Sequence, residues 1–173
     1  DNWEDTPYYR PDENGHVWNN DYFGGDLEGI KEKLPYLKDL GVTCIYLNPI
    51  FESHENHRYN TANYRKVDPL LGTNEDFREL CKEAEKYGIS IILDGVFSHT
   101  GADSVYFNKF NRYDSLGAYN SKESEFYPWY TFYEYPDKYD AWWGIDTIPN
   151  VKENNKEYTD SVSYTHLRAH ETG

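Results

Sequence analysis

The run Ile89-Ser90-Ile91-Ile92-Leu93 ends in Asp94-Gly95, and a histidine, His99, follows the acid by five residues. A carboxylate at the last position of a strand and an imidazole a short loop later can accept, donate or hold protons at one rim of a sheet. The same pair also suits a quieter duty, with Asp94 capping or pairing with the next element and His99 satisfied inside its loop. Residue types alone leave both readings open. His54-Glu55-Asn56-His57 carries metal-ligand residue types, but its histidines are three apart in a polar stretch, whereas helical zinc ligation sets them four apart in an HExxH frame. No metal is expected there. Gly24-Gly25 suits a tight turn and lacks the spacing of a phosphate-binding loop.

The elements that must position these residues can be read from periodicity. Leu27, Ile30, Leu34, Leu37 and Leu40 recur at three- and four-residue steps and predict an amphipathic helix, which Gly41 terminates and Pro35 is expected to kink. The run Val42–Leu47 follows directly as a strand. Thr73 with Asp76 three residues on predicts a second helix start, Phe77, Leu80, Cys81, Ala84 and Tyr87 form its stripe, and Gly88 stops it before Ile89–Leu93. Helix, glycine, strand, loop, helix, glycine, strand describes an α/β chain with a parallel sheet. The links into the strands are short, and those leaving them are long and polar. Asn48–Gly72 reads as a long loop, and about fifty residues after the second strand read as a small excursion domain with its own aromatic core. Its rings, Phe126, Tyr127, Trp129, Tyr130, Phe132, Tyr133, Tyr135, Tyr139, Trp142 and Trp143, are each expected to pack in that core.

Composition narrows the partners. The 173 residues carry 31 Asp and Glu against 17 Lys and Arg, a formal net charge of -14, which repels phosphate backbones and argues against nucleic acid or anionic membrane as a partner. No run approaches the roughly 18 apolar residues of a membrane span. Aromatics make up 18% of the chain, including 18 Tyr, which suits either Tyr-rich packing or a neutral, polyhydroxylated ligand. The two cysteines, Cys44 and Cys81, are expected to be buried free thiols. The chain contains no Met and is read as a piece of a longer protein. Localisation is left open, leaning to the cytoplasm. Residues 162–173 match, almost throughout, the one-frame translation of a common sequencing-library adapter, and are read as adapter-derived together with His166 and His170.

Five stretches, in order along the chain, resemble the alpha-amylase family of glycoside hydrolases. Phe23–Ile30 is similar to the family's opening of the first barrel helix, Gly41–Phe51 to its second strand, His57–Tyr64 to the segment carrying a substrate-stacking Tyr, and Asp94–His99 to the region closing the third strand. Trp142–Val151 is similar to the motif that closes the excursion domain in neopullulanase and cyclomaltodextrinase relatives. The resemblance implies part of a (β/α)8 TIM barrel. Residues 1–99 would hold strands two and three with their helices, 100–150 the excursion domain, and 151–161 the start of the return to the barrel.

The resemblance also implies roles. Tyr59 would stack on the sugar just before the scissile bond, and His99 would hydrogen-bond a hydroxyl of that sugar. Asp94 would support the site by holding an arginine of the neighbouring strand. Many calcium-dependent members place an Asn ligand where this chain has Ser98, which counts against calcium at that position while leaving it open elsewhere in the parent enzyme. The implied activity is retaining hydrolysis of α-glucosidic bonds in maltodextrin, cyclodextrin or pullulan, the partner being an α-glucan oligosaccharide or polysaccharide and the parent an enzyme that could form a homodimer. Nucleophile, acid/base and stabilising Asp are implied on strands four, five and seven, so this chain is expected to contain no catalytic residue and to be inactive alone. Rival readings are an alpha-glucosidase or amylopullulanase of the same family, a non-catalytic barrel relative acting as a structural partner, and a carbohydrate-binding module.

Overall fold

In a computed structural model, residues 11–15, 17 and 21–170 are described, with side chains as far as residue 163. The opening Asp1-Asn2-Trp3-Glu4 and the side chains of His166 and His170 lie outside that range. Helix α1 (Leu27–Asp39) starts where Asp26 accepts the Gly29 N–H at 2.8 Å. It carries Glu28 in its first turn and Lys38 in its last, as the helix dipole favours. Pro35 sits inside the helix on an exposed face and does not end it. Gly41, at φ +85°, takes the left-handed turn that leads into β1 (Cys44–Leu47). Helix α2 (Asn74–Lys86) opens on the expected capping box: Thr73 Oγ1 accepts the Asp76 N–H at 3.1 Å, and the Asp76 carboxylate accepts the Thr73 N–H at 2.7 Å.

Helix α2 delivers the chain to β4 (Ser90–Leu93), which pairs in parallel with β1 from Cys44↔Ser90 to Leu47↔Leu93. The stretch Asn48–Gly72, read from its polarity as a long loop, contains strands of its own. Phe51–Ser53 (β2) and Thr61–Val67 (β3) form an antiparallel pair inside it. Buried Asn60, Thr61 and Asp68 mask the strand signal, since polar residues there do not read as a buried strand.

Two apolar clusters support these elements. Leu27 and Leu34 of α1 meet Phe77, Leu80 and Ala84 of α2 beneath Leu47 and Ile89, each fully buried Leu contributing about 1.5–3 kcal/mol. The second cluster is mainly aromatic, with Phe107 at its centre among Tyr119, Tyr130, Phe132 and Tyr139 at centroid distances of 4.8–5.9 Å. Strand β3 joins the two, since Val67 belongs to the first cluster and Tyr64 to the second. A short hairpin, β5 (Phe132–Glu134) with β6 (Lys138–Tyr139), edges the aromatic cluster. Helix α3 (Lys156–His170) brings Tyr158 beneath it.

Two expectations require correction. Cys44 is exposed and Cys81 half-buried; β1 has β4 as its hydrogen-bonded neighbour and presents Cys44 and Tyr46 on an uncovered face. Among the aromatic residues, Trp129, Tyr130 and Tyr139 are buried, but Tyr133, Trp142 and Trp143 are exposed. Among the described residues, no helix is long and apolar enough to cross a membrane.

Candidate functional site

The segment leaving β4 is held by partners from distant parts of the chain. Asp94 N–H donates to the Leu47 carbonyl at 2.9 Å, which extends the parallel pairing by one residue. The carbonyls that follow would have no sheet partner and are met by buried tyrosine hydroxyls. Tyr158 Oη donates to Phe97 O at 2.6 Å, and Tyr64 Oη lies 2.6 Å from Val96 O and 2.8 Å from His99 O, one O–H shared between two acceptors. Burial holds both phenols protonated: the Tyr64 pKa is pushed well up, and that of Tyr158 to about 12. The returning strand completes the frame, with Val151 N–H donating to Ser98 O and an antiparallel bridge between His99 and Asn150.

On this frame the structure brings Tyr59, Asp94 and His99 together. Tyr59 Oη donates to Asp94 Oδ2 at 3.0 Å, and His99 Nε2 lies 3.0 Å from the Tyr59 carbonyl oxygen. Because a carbonyl only accepts, Nε2 carries the proton. Nδ1 then accepts from Ser98 Oγ at 3.0 Å, which fixes the neutral tautomer. Burial lowers the His99 pKa, only partly offset by the Tyr59 carbonyl. The Tyr59 pKa is raised, first by its hydrogen bond to Asp94. Tyr59 is 41% exposed.

The loop that presents Tyr59 is tightly anchored. Arg58 adopts φ 60°, in the left-handed region that a bulky residue enters only when its surroundings enforce it. Its Nε lies 3.0 Å from Asp68 Oδ2, an ionic contact off the N–H direction, and its Nη1 donates to Asn56 O at 2.9 Å. The pair His54/His57, whose residue types suggested a metal, does other work here. His57 Nδ1 accepts the Tyr59 N–H at 3.0 Å, its Nε2 meets Glu55 Oε2 at 2.8 Å, and Glu55 Oε1 accepts from Asn60 Nδ2 at 2.8 Å. Glu55 thereby grips both sides of Tyr59. Among the described residues, no group of three or more His, Cys, Asp or Glu could hold a metal. At Ser98 the hydroxyl is directed at His99 and the carbonyl at Val151, a donor set that does not fit calcium.

Two neighbours escaped sequence reasoning. Tyr46, near the end of β1, has its hydroxyl pKa raised by burial and then by the Asp94 carboxylate, which places it on the same rim. The Trp142 ring lies 5.8 Å from that of His99. A Tyr one residue before a strand's end was the available signal for the first. For Trp142 the signal was hidden among ten aromatics assigned to one core.

Comparison with known proteins gives this geometry a family. The family model described as "Alpha amylase, catalytic domain" matches residues 6–164. An amylopullulanase of Thermoanaerobacterium saccharolyticum is 51% identical over 160 residues, covering 88% of this chain and 12% of that protein. A cyclomaltodextrinase of Thermoanaerobacter pseudethanolicus is 43% identical over 117 residues, covering 68% of this chain and 19% of its own length. The type III pullulan hydrolase of Thermococcus kodakarensis superposes with a TM-score of 0.78 at 33% identity, over 99% of this chain and 29% of that one. The chain thus spans about an eighth of the amylopullulanase it matches and under a third of that solved structure. With a matching catalytic-domain model over most of its length, the chain belongs to the alpha-amylase family of glycoside hydrolases.

Proposed function

We propose that this segment forms the sugar-holding wall of a longer retaining α-glucan hydrolase, with residues 1–99 in its (β/α)8 barrel and 100–150 in the excursion domain. The observation that carries the reading is Tyr59, 41% exposed while its N–H, carbonyl and hydroxyl are each held by a polar side chain. A ring so fixed presents a rigid apolar platform to the C–H face of a glucose unit without paying for ordering on binding. His99 offers its Nε2–H to a sugar hydroxyl by sharing it with the Tyr59 carbonyl. Asp94 accepts from Tyr59, and its remaining lone pairs would hold an arginine of the next barrel strand, so it supports the site and transfers no proton.

Bond cleavage is assigned to two carboxyl groups on later strands, about 5–5.5 Å apart as double displacement requires. The parent enzyme would cleave α-1,4 and α-1,6 glucosidic bonds. The 51% identity to an amylopullulanase over 88% of the chain favours that specificity over a cyclomaltodextrinase's. The test is to express the longer reading frame that contains this segment and to follow pullulan and maltohexaose hydrolysis by proton NMR. Release of α-configured reducing ends first is expected. First release of β-configured ends overturns the retaining mechanism. Sugar binding without hydrolysis overturns the enzyme reading in favour of a non-catalytic barrel relative.

A further inference from the structure

Trp143 is 85% exposed and Trp142 42%. Leaving two indoles in water forgoes the apolar burial that usually fixes tryptophan. Trp143 also adopts φ 54° and ψ 24°, the left-handed region, where Gly would sit without strain. The surrounding turn enforces this conformation: Trp142 N–H donates to Ile148 O at 2.9 Å, Gly144 N–H to Ala141 O at 3.0 Å and Ile145 N–H to Trp142 O at 3.0 Å. Ala141 and Pro149 bridge the base of the turn. An exposed aromatic residue held in a strained backbone conformation contributes little to packing, and such outliers cluster at ligand-binding sites.

The rings run outward from the site. The His99 and Trp142 centroids are 5.8 Å apart at 43°, and those of Trp142 and Trp143 are 5.7 Å apart at 49°. His99 is itself bonded to the Tyr59 backbone. Asp146 and Lys109 stand three and thirty-four residues from Trp143, with Lys109 Nζ 3.4 Å from an exposed Asp146 carboxylate, and supply polar groups on the same excursion unit. We propose that Trp142 and Trp143 form an aromatic ledge that binds a glucosyl unit of an α-glucan chain beyond the one at Tyr59, with the Trp143 indole stacked on the sugar's C–H face. This rests on the α-glucan reading given above. The ledge would make longer oligosaccharides bind more tightly than maltose.

The longer reading frame that contains this segment, labelled with 5-fluorotryptophan and assigned through single Trp→Phe variants, tests the ledge by 19F NMR. Maltohexaose is expected to shift the Trp142 and Trp143 resonances saturably and to leave Trp129, buried in the aromatic core, unmoved. Trp143→Ala is expected to weaken maltohexaose binding about tenfold, or ~1.4 kcal/mol, and to change maltose binding, followed by calorimetry, by less than about twofold. Trp143→Phe should restore most of the loss. If both sugars bind and neither indole moves, the ledge is overturned and the α-glucan reading stands. If neither sugar binds, that reading fails and the ledge with it. A Trp143 shift that depends on protein concentration without sugar assigns the face to a second copy of the chain and overturns the proposal.

Discussion

Tyr59 and Asp94, thirty-five residues apart in sequence, meet in a 3.0 Å hydrogen bond that ties the loop before β3 to the end of β4. This bond orients the ring, whereas the ring face itself makes the proposed sugar contact. Tyr59→Phe therefore keeps the platform and loses only its tether, and is expected to weaken maltose binding by less than about tenfold, with Tyr59→Ala costing more than that. Calorimetric titration of both variants checks the order.

Acid should loosen the site through His99. Its folded pKa lies below its ordinary value of 6.5 because burial disfavours the charged ring. Between the folded and ordinary values the unfolded chain holds more protons, so stability rises with pH across that window. The contribution is complete above about pH 6.5 and is lost as pH falls through the folded pKa. Thermal unfolding followed from pH 8 to pH 5 should show this slope in the wild type, and His99→Asn should remove it.

The Glu55–His57 clamp makes a prediction at the backbone. His57 Nδ1 accepts the Tyr59 amide at 3.0 Å, so His57→Phe should speed exchange of that amide about tenfold or more. Glu55→Gln keeps a polar reach to Asn60 and should raise the rate less. Hydrogen exchange measured by NMR separates the two.

Gly117 tests the aromatic core. A Cβ there would lie 2.4 Å from the Phe107 carbonyl oxygen and 2.5 Å from its carbon, both backbone atoms that cannot rotate away. Phe107 is fully buried, so Gly117→Ala should destabilise by about 1–3 kcal/mol. A drop in Tm should report it.

Trp143 predicts the opposite sign. Trp143→Gly removes an exposed ring and relieves a left-handed backbone at φ 54°, and is expected to stabilise by up to about 1 kcal/mol. A raised Tm together with weakened maltohexaose binding would show stability exchanged for ligand contact.

Local chemistry was legible in the chain. Leu27 and Leu34 on the inner face of α1, the Thr73–Asp76 capping box, the glycines after each helix and Asp94 directly after β4 all follow from rules that act within a few residues, and each stands where those rules put it, whereas Leu40, last of the predicted stripe, is exposed beyond the helix. What required the tertiary structure was the choice of distant partners. Strand β3 hides behind polar residues whose bonds go to Ser53 and Glu55, and its pairing with β2 depends on a fold-back that periodicity does not encode. The same holds for His57, whose partners, Glu55 and the Tyr59 amide at its two nitrogens, are chosen only once the chain folds. Aromatic residues are the clearest case: in sequence Trp129 and Trp143 look alike, but one lies beneath Tyr158 and the other in water. Burial is a property of what packs against a side chain, and only the assembled surfaces of the two clusters decide it.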